Sequence, residues 1–156
     1  MADTNFAGPF FTAAGEVFEQ MFGLTAKSGK PRELAGSEDH DWGISGILGL
    51  AGQAQGIISL RLPLALAESL LSLSGVETAS EKERMATMAG LVSELTNIIA
   101  GNAVSSFTDL NLDISPPVVI KGVNHQITWP KIAPVIATRF ETGKGAFELC
   151  VCFKPA

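Results

Sequence analysis

The strand-like runs of this chain come in pairs, and each pair is joined by only five residues. Residues 42–50 and 56–62 form the first pair, and residues 135–140 and 146–154 form the second around a loop that contains two glycines. Parallel neighbours would need a crossover connection of about a dozen residues or more. The chain is therefore predicted to fold around antiparallel hairpins.

Two segments have the three-to-four spacing of apolar residues that indicates a short amphipathic helix. The first covers residues 9–23 and ends at Gly23, a residue that suits the C-terminus of a helix. The second begins at Pro63, which fits the start of a helix, and ends at Gly75. Each helix is predicted to turn its apolar stripe toward the sheet.

A capping box marks the start of a third and longer helix. Ser80 and Glu83 have the S-x-x-E spacing in which each side chain satisfies a free backbone amide in the first turn. The apolar spacing that follows predicts a helix from residue 81 to about residue 107.

The order of elements predicts an α+β fold. A short strand over residues 118–120 follows Ser115-Pro116-Pro117, and residues 25–41 are predicted to be an exposed connection because Lys, Gly, Pro, Ser and acidic residues dominate there. The order is then α-β-β-α-α-β-β-β, without βαβ alternation. We expect one domain over residues 1–156, with a mainly antiparallel sheet and helices packed on one face.

Composition restricts the partners and the location of the protein. The 156 residues are 46% apolar and carry a formal net charge of −5, which allows a core and argues against nucleic acid or an anionic membrane surface as a partner. No run of about 18 apolar residues is present, and residues 1–5 lack the features of an export signal. We therefore expect a cytoplasmic protein without a membrane span.

Other residues with reactive side chains favour structural roles. Cys150 and Cys152 share one face of a strand, too far apart for a relaxed disulfide, and are interpreted as small buried hydrophobes. A C-x-C metal site is the alternative, although no second ligand cluster accompanies it. The acidic run 38–41 is interpreted as solvated charge, because four adjacent loop residues cannot all converge on one ion. His40 and His125 lie in predicted loops and are interpreted as structural or solvated, so no metal site is predicted.

Glycines recur at every third position from 43 to 52. This spacing does not match the G-x-G-x-x-G nucleotide motif, and a strand follows where that motif requires a helix. A phosphate-binding loop is therefore not expected.

The long helix has two contrasting stripes. At about 100° per residue, one stripe is apolar, and its members are Met85, Met88, Val92, Leu95 and Ile99. The opposite stripe consists of Thr87, Gly90, Glu94, Asn97 and Gly101. Glycine costs roughly 1 kcal/mol relative to alanine inside a helix, so two glycines on the exposed side suggest close approach by another surface. The alternative is that Glu94 and Asn97 are ordinary solvated residues.

The residues around this stripe resemble a known family. The segment ELTNIIAGNA, residues 94–103, is similar to the E-x-x-N-x-x-x-G-N-A motif of the CheX family of chemotaxis phosphatases, in the group that also contains CheC and FliY. The segment ISPPVVIKG, residues 114–122, resembles the I-S-x-P-x-V segment of that family. The first helix and the closing hairpin are similar to the ends of CheX-like domains, so the resemblance covers essentially the whole chain.

The resemblance implies a phosphatase for the aspartyl phosphate of a CheY-type response regulator. It implies that Asn97 is inserted into the phosphorylation site and orients the attacking water, and that Glu94 contacts the active-site lysine of the regulator. Thr87, Gly90 and Gly101 are then candidates for partner contact. The resemblance places the Mg²⁺ in the regulator, and it implies a homodimer. The alternative function is a non-catalytic CheX-like domain that binds a regulator or another signalling partner.

The first helix contains a faint copy of the motif. Glu16, Glu19 and Gly23 have the spacing of Glu94, Asn97 and Gly101, and the related CheC family resembles a duplicated form with two motif helices. An ionised glutamate at position 19 cannot donate a hydrogen bond. We therefore predict one active helix, with ordinary surface roles for Glu16 and Glu19 as the alternative.

Overall fold

A computed structural model describes residues 6–34, 42–122, 125 and 127–155 of the chain. The helices in these ranges are α1 (Gly8–Phe22), α2 (Leu64–Leu73) and α3 (Glu81–Ser105). The strands are β1 (Lys27–Ser28), β2 (Arg32–Glu33), β3 (Ile44–Gly52), β4 (Ala54–Leu62), β5 (Leu112–Ile114), β6 (Val118–Lys121), β7 (Val135–Thr142) and β8 (Gly145–Pro155).

All eight strands belong to one antiparallel sheet, as the short connections predict. The order across the sheet is β1-β7-β8-β4-β3-β5, with β2 also paired to β7 and β6 also paired to β3. The α+β class and the predicted helices and hairpins are confirmed. None of the helices in the described ranges has the length and apolarity needed to cross a membrane.

The prediction for residues 25–41 is partly wrong. This segment contains β1 and β2, which pair with β7, although their side chains are exposed as expected of a connection. Strand β5 is a further addition to the predicted order. Two- and three-residue strands are too short to show a period of two, so the pattern could not reveal them. The remainder of the predicted connection, including the acidic run 38–41, lies outside the described residues.

The edge formed by β5 and β6 is interrupted by a bulge. Ile114 lies opposite Leu50 of β3, and Val118 lies opposite Ile47. Residues 115–117 therefore face only two residues of β3, which leaves one extra residue, as in a β-bulge. Proline supplies no backbone N–H, so the Pro116-Pro117 pair is tolerated because it stands at an edge.

The other edge of the sheet has the same design. Ser28 lies opposite Phe140, and Arg32 lies opposite Ala137. Residues 29–31 then face two residues of β7, and this interruption also contains a proline. Both edges of the sheet are therefore divided into short strands by a proline-containing interruption.

The sheet has an internal symmetry that relates the two halves of the chain. From either edge inward, it contains the edge strands of one half and then the hairpin of the other half. The first half contains α1, the interrupted edge β1–β2 and the hairpin β3–β4, and the second contains α3, the interrupted edge β5–β6 and the hairpin β7–β8. Each edge pairs with the hairpin of the other half, and the hairpins meet at β4 and β8. This arrangement supports the internal repeat that the two helix motifs suggest.

The main core lies between the sheet and the helices. On β8, alternate residues Phe147, Leu149, Val151 and Phe153 belong to this core, as the apolar face of the last strand predicts. Phe147 stacks between Phe18 of α1 and Phe140 of β7, with ring centroids 3.9 and 4.7 Å apart. These contacts fix α1 on the second hairpin, and Gly23 ends the helix with a φ of 66°.

The opposite face of the sheet buries a polar cluster. Glu148 of β8 accepts hydrogen bonds from the guanidinium groups of Arg61, which lies opposite it on β4, and of Arg32 on β2. Burial opposes ionisation of Glu148, but the hydrogen bonds and charges of the two arginines outweigh it and lower the pKa of the carboxyl below its usual value of 4.5. Arg61 and Glu148 therefore form a buried ion pair, and Arg32 extends it to the surface.

The remaining reactive side chains on this face also have structural surroundings. Cys150 and Cys152 are buried free thiols, and burial raises the pKa of each. Their interpretation as small buried groups is confirmed. His125 bridges the Ser45 hydroxyl, 2.6 Å away, and the Gly122 carbonyl, 2.8 Å away, which confirms a structural role. His40 lies outside the described residues.

Candidate functional site

Helix α3 begins at the predicted capping box. The Ser80 hydroxyl accepts a hydrogen bond from the Glu83 N–H at 3.1 Å, and the Glu83 carboxylate accepts one from the Ala79 N–H at 3.0 Å. The carboxylate thus reaches one residue further back than the motif predicts. The helix ends at Ser105, two residues before the predicted end.

The inner face of α3 is buried against the sheet. Met88, Val92, Leu95 and Ile99 are fully buried, which confirms most of the apolar stripe, while Met85 at the first turns is half-buried. Salt bridges at the exposed end add a link to α2, since Arg84 lies 3.3 Å from Glu68. The helix is therefore held along its length with one defined side toward solvent.

The five candidate residues lie together on the outward side of α3. Glu94 and Gly90 are exposed, and Thr87, Asn97 and Gly101 are half-buried. Residues three apart on a helix have Cβ atoms roughly 5–6 Å apart, so Glu94 and Asn97 form one pair of neighbouring polar groups. A Cβ added at Gly90 or Gly101 would meet no atom within 4 Å.

The polar groups of this surface differ in whether the fold already uses them. The Thr87 hydroxyl donates to the Glu83 carbonyl at 2.8 Å, so it contributes to its own helix. The side chains of Glu94 and Asn97 make no hydrogen bond or ion pair within the part of the chain that the structure describes. A carboxylate and a carboxamide are therefore both directed outward, ready to bind a group on another molecule.

The second motif segment belongs to the edge of the sheet next to β3. Ser115 and Gly49 are joined by two hydrogen bonds, because the Gly49 N–H donates to the Ser115 hydroxyl at 2.8 Å and the Ser115 N–H donates to the Gly49 carbonyl at 2.9 Å. These bonds close the bulge where two prolines cannot donate. Ser115 is thus a structural residue of the edge and does not extend the surface of α3.

The faint motif of α1 differs from that of α3 in its glycine. Glu16 and Glu19 are exposed on α1, which packs beside α3. Gly23, however, is the left-handed cap of α1, whereas Gly101 lies inside α3 and faces open space. The glycine at this spacing therefore ends the helix in one half, whereas in the other half it forms part of a smooth helix surface.

Neither a cluster of metal-ligating side chains nor an accessible thiol lies beside these groups within the described ranges. Within the described ranges, no three side chains of His, Cys, Asp or Glu come together as a metal ion would require. Both thiols are buried on the opposite face of the sheet from α3. The site can therefore bind and orient a group on another molecule and accept or donate hydrogen bonds.

The motif of α3 does not reveal one further residue near the site, which is Gly46 of β3. Four evenly spaced glycines do not form a nucleotide motif, but a glycine inside a strand is also a signal for close approach of another element. A Cβ at Gly46 would lie 2.1 Å from the Thr96 hydroxyl oxygen on the buried side of α3. The strand and the helix meet most closely there.

Comparison with known proteins gives a consistent result. The family model described as chemotaxis phosphatase CheX matches residues 44–141. No curated protein sequence is similar enough to count as a match. The chain is similar to the structure of a chemotaxis protein CheX from Desulfovibrio desulfuricans, with 26% identity and a TM-score of 0.86 over 96% of this chain and 99% of that one.

Two other solved structures are similar at nearly the same level. The chemotaxis protein CheX from Vibrio vulnificus is 26% identical, with a TM-score of 0.82 over 96% of this chain and 99% of that one. A chain of the CheX–CheY–BeF₃–Mg²⁺ complex from Borrelia burgdorferi is 27% identical, with a TM-score of 0.81 over 96% of this chain and 97% of that one.

Proposed function

Because the chain belongs to the CheX family of chemotaxis phosphatases, we propose that it hydrolyses the aspartyl phosphate of a CheY-type response regulator through Asn97 and Glu94. The observation that carries this proposal is the outward pair on α3. Glu94 is exposed and Asn97 is half-buried on the outward side of a capped helix, and neither side chain takes part in the hydrogen bonding of the described fold.

The Borrelia structure supports the choice of partner. In that complex a CheX protein is bound to CheY together with BeF₃ and Mg²⁺. Beryllium fluoride has the shape and charge of a phosphoryl group, so the complex represents a regulator in its phosphorylated form. We infer a partner of the same class for this chain, with the Mg²⁺ supplied by the regulator.

Asn97 is suited to orienting the attacking water. An acyl phosphate is already reactive, and phosphoryl transfer is accelerated chiefly by positioning and electrostatic stabilisation. The carboxamide oxygen accepts a hydrogen bond from the water, while the amide group can donate to a second acceptor without a change in charge. The water oxygen then bonds to phosphorus, and the phosphorus–oxygen bond to the aspartate breaks to release phosphate.

Glu94 is suited to fixing the docking position. Its carboxylate stands near Asn97 on the same surface, and an ion pair with a lysine of the regulator gains strength as the interface excludes water. Gly90 and Gly101 leave room for the regulator to approach the helix backbone, and Thr87 borders this area. We further propose a homodimer that works in the cytoplasm.

The test is the decay of a phosphorylated CheY-type regulator with and without the protein, in the presence of Mg²⁺. We expect faster loss of phosphate when the protein is added at concentrations that saturate binding. If the protein binds the regulator loaded with BeF₃ and Mg²⁺ but leaves the decay rate unchanged, it is a binding module and the proposed activity is wrong.

A further inference from the structure

We propose that Gly46 is a positioning residue for the reaction: its contact with Thr96 sets the height at which α3 holds Glu94 and Asn97 above the sheet. This inference rests on the proposed function for its effect on rate. The contact itself is a property of the fold and can be tested separately.

Gly46 lies in β3 beneath α3, between β4 and the edge strand β6. It is paired with Leu60 of β4 on one side and with Val119 of β6 on the other, so its backbone is held from both directions. Its position is buried, and α3 packs on β3 and on both neighbours of that strand. The strand therefore has little freedom to move away from the helix.

The space above Gly46 is filled by α3. A Cβ at this position would lie 2.1 Å from Thr96 Oγ1, 3.1 Å from Thr96 Cβ and 3.3 Å from a methyl carbon of Val92. Ordinary contacts of a Cβ begin at 3.4 Å, so the nearest atom is about 1 Å too close. Absence of a side chain at residue 46 is what permits the observed packing.

The Thr96 hydroxyl cannot turn aside without cost. It donates to the Val92 carbonyl at 2.7 Å, and Thr96 is fully buried. Rotation would break this hydrogen bond where no water replaces it. A side chain at residue 46 must therefore displace the helix rather than one flexible group.

Displacement of Thr96 would move the functional pair. Thr96 precedes Asn97 directly and follows Glu94 by two residues in a continuous helix, so the three residues shift together. A misplacement of about 1 Å can lower a rate by about 10²-fold even when it originates away from the reacting atoms.

The experiment compares Gly46→Ala with Gly49→Ala, a matched control in the same strand. A Cβ at Gly49 would have its nearest contact at 3.5 Å, with Ser115 and not with α3. A third variant, Gly46→Ala/Thr96→Ala, removes the hydroxyl oxygen that makes the shortest contact. Single-turnover decay of the phosphorylated regulator is measured below the melting temperature of each variant, and crystal structures of the variants give the position of Asn97 relative to β3.

We expect Gly46→Ala to lower the rate by 10-fold to about 10²-fold, and Gly49→Ala to leave it within about 3-fold of the parent. The double variant should recover most of the rate, which a loss of stability alone would not explain. Equal rates for the two single variants would overturn the inference. If Gly46→Ala does not fold, the double variant alone is compared with the parent. A folded double variant with a rate about 10²-fold below that of the parent would also overturn the inference.

The structural readout separates this inference from the proposed function. If the parent protein does not accelerate decay, the proposed function fails, while displacement of Asn97 by about 1 Å in Gly46→Ala and its reversal in the double variant would still support the contact. An unchanged position of Asn97 in Gly46→Ala would overturn the contact whatever the activity.

Discussion

Asn97 and Glu94 take no part in the described hydrogen bonding of the fold, so their removal should leave stability unchanged. Exposed substitutions of this kind usually shift the free energy of unfolding by no more than about 0.5 kcal/mol. Thermal melting of Asn97→Ala and Glu94→Ala followed by circular dichroism measures this directly. A melted variant would show that one of these side chains supports the core.

Glu94→Gln should weaken docking and reduce its dependence on salt. The carboxamide keeps the size of the carboxylate but loses the charge that pairs with a lysine, and a pair buried by the complex is worth more than an exposed one. We expect at least a 10-fold rise in the Kd for the regulator loaded with BeF₃ and Mg²⁺. Exposed Glu16 of α1 provides the matched control, and Glu16→Gln should bind like the parent.

An equal effect of the two substitutions would contradict a specific role for Glu94. It would instead indicate a general effect of the acidic surface of the protein. Titrations of both variants at two ionic strengths add a second comparison, because a specific ion pair predicts a flatter salt dependence for Glu94→Gln and not for Glu16→Gln.

At the scale of the element, Gly90 and Gly101 are expected to give α3 a smooth surface while making the helix less stable than alanine would. Gly90→Ala and Gly101→Ala add a methyl group that meets no atom within 4 Å, and each replaces a poor helix former with the best one. Each variant should therefore be more stable by up to about 1 kcal/mol. Urea unfolding measures this gain.

The same two variants should bind the regulator more weakly if the helix backbone is approached closely. A control is Ala86→Gly, which makes the opposite change at an exposed position of α3 near its start and should lower stability without affecting binding. Tighter or unchanged binding by both alanine variants would exclude Gly90 and Gly101 from the interface.

An element could be predicted from the sequence when many of its residues carried the same signal. The capping box of Ser80 and the stripe of Val92 and its neighbours predicted α3, because local hydrogen bonds and a period of 3.6 repeat over many residues. Strands β1, β2 and β5 escaped prediction because pairing with distant strands defines them. The close contact of Gly46 with Thr96 depends on which strand lies beneath α3, which the local pattern does not contain.

The positions of the site residues could be predicted from the sequence better than the hydrogen bonds of the surrounding structure. The outward position of Glu94 and Asn97 follows from helical periodicity alone, whereas their roles came from resemblance to a family. The structure adds that Thr87 bonds to its own helix and that Ser115 closes a bulge. The first is a local bond that helical spacing allows, whereas the second depends on pairing with Gly49 of a distant strand, which residue spacing does not predict.

At the scale of the molecule, the buried pair of Arg61 and Glu148 should make stability depend on pH. The pKa of Glu148 is lower in the folded protein than its usual value of 4.5, so the contribution of the pair is complete above about that pH. It is lost as pH falls through the folded pKa, because protonation removes the charge. Glu148→Gln should therefore be destabilised by about 3 kcal/mol at pH 7, with a smaller difference from the parent in acid.

The control for this prediction is the exposed pair of Arg139 and Glu141, 2.9 Å apart with both side chains more than half exposed. Glu141→Gln should cost no more than about 1 kcal/mol. Urea unfolding of the parent and both variants at pH 7 and in an acid series measures the differences. A constant difference between Glu148→Gln and the parent at all pH values would contradict the ionic role of Glu148.

The homodimer is expected to form through a sheet edge, and β6 is the longer uninterrupted piece of edge. Val118 of β6 is 62% exposed, and no further strand covers β6 in the described ranges. We expect sedimentation at micromolar concentration to give about twice the 16.4 kDa of the chain, and Val118→Lys to shift it toward monomer. Ser28→Lys on the opposite edge is the control. A parent that sediments as a monomer would exclude the dimer.

The most direct test of the central claim is the single-turnover decay of one phosphorylated CheY-type regulator with the parent, Asn97→Ala and Asn111→Ala proteins. Asn111 is an exposed loop asparagine outside α3 and serves as the matched control. We predict that the parent and Asn111→Ala accelerate decay equally, and that Asn97→Ala binds the regulator but is slower on the order of 10²-fold. A fully active Asn97→Ala protein would contradict the proposed mechanism.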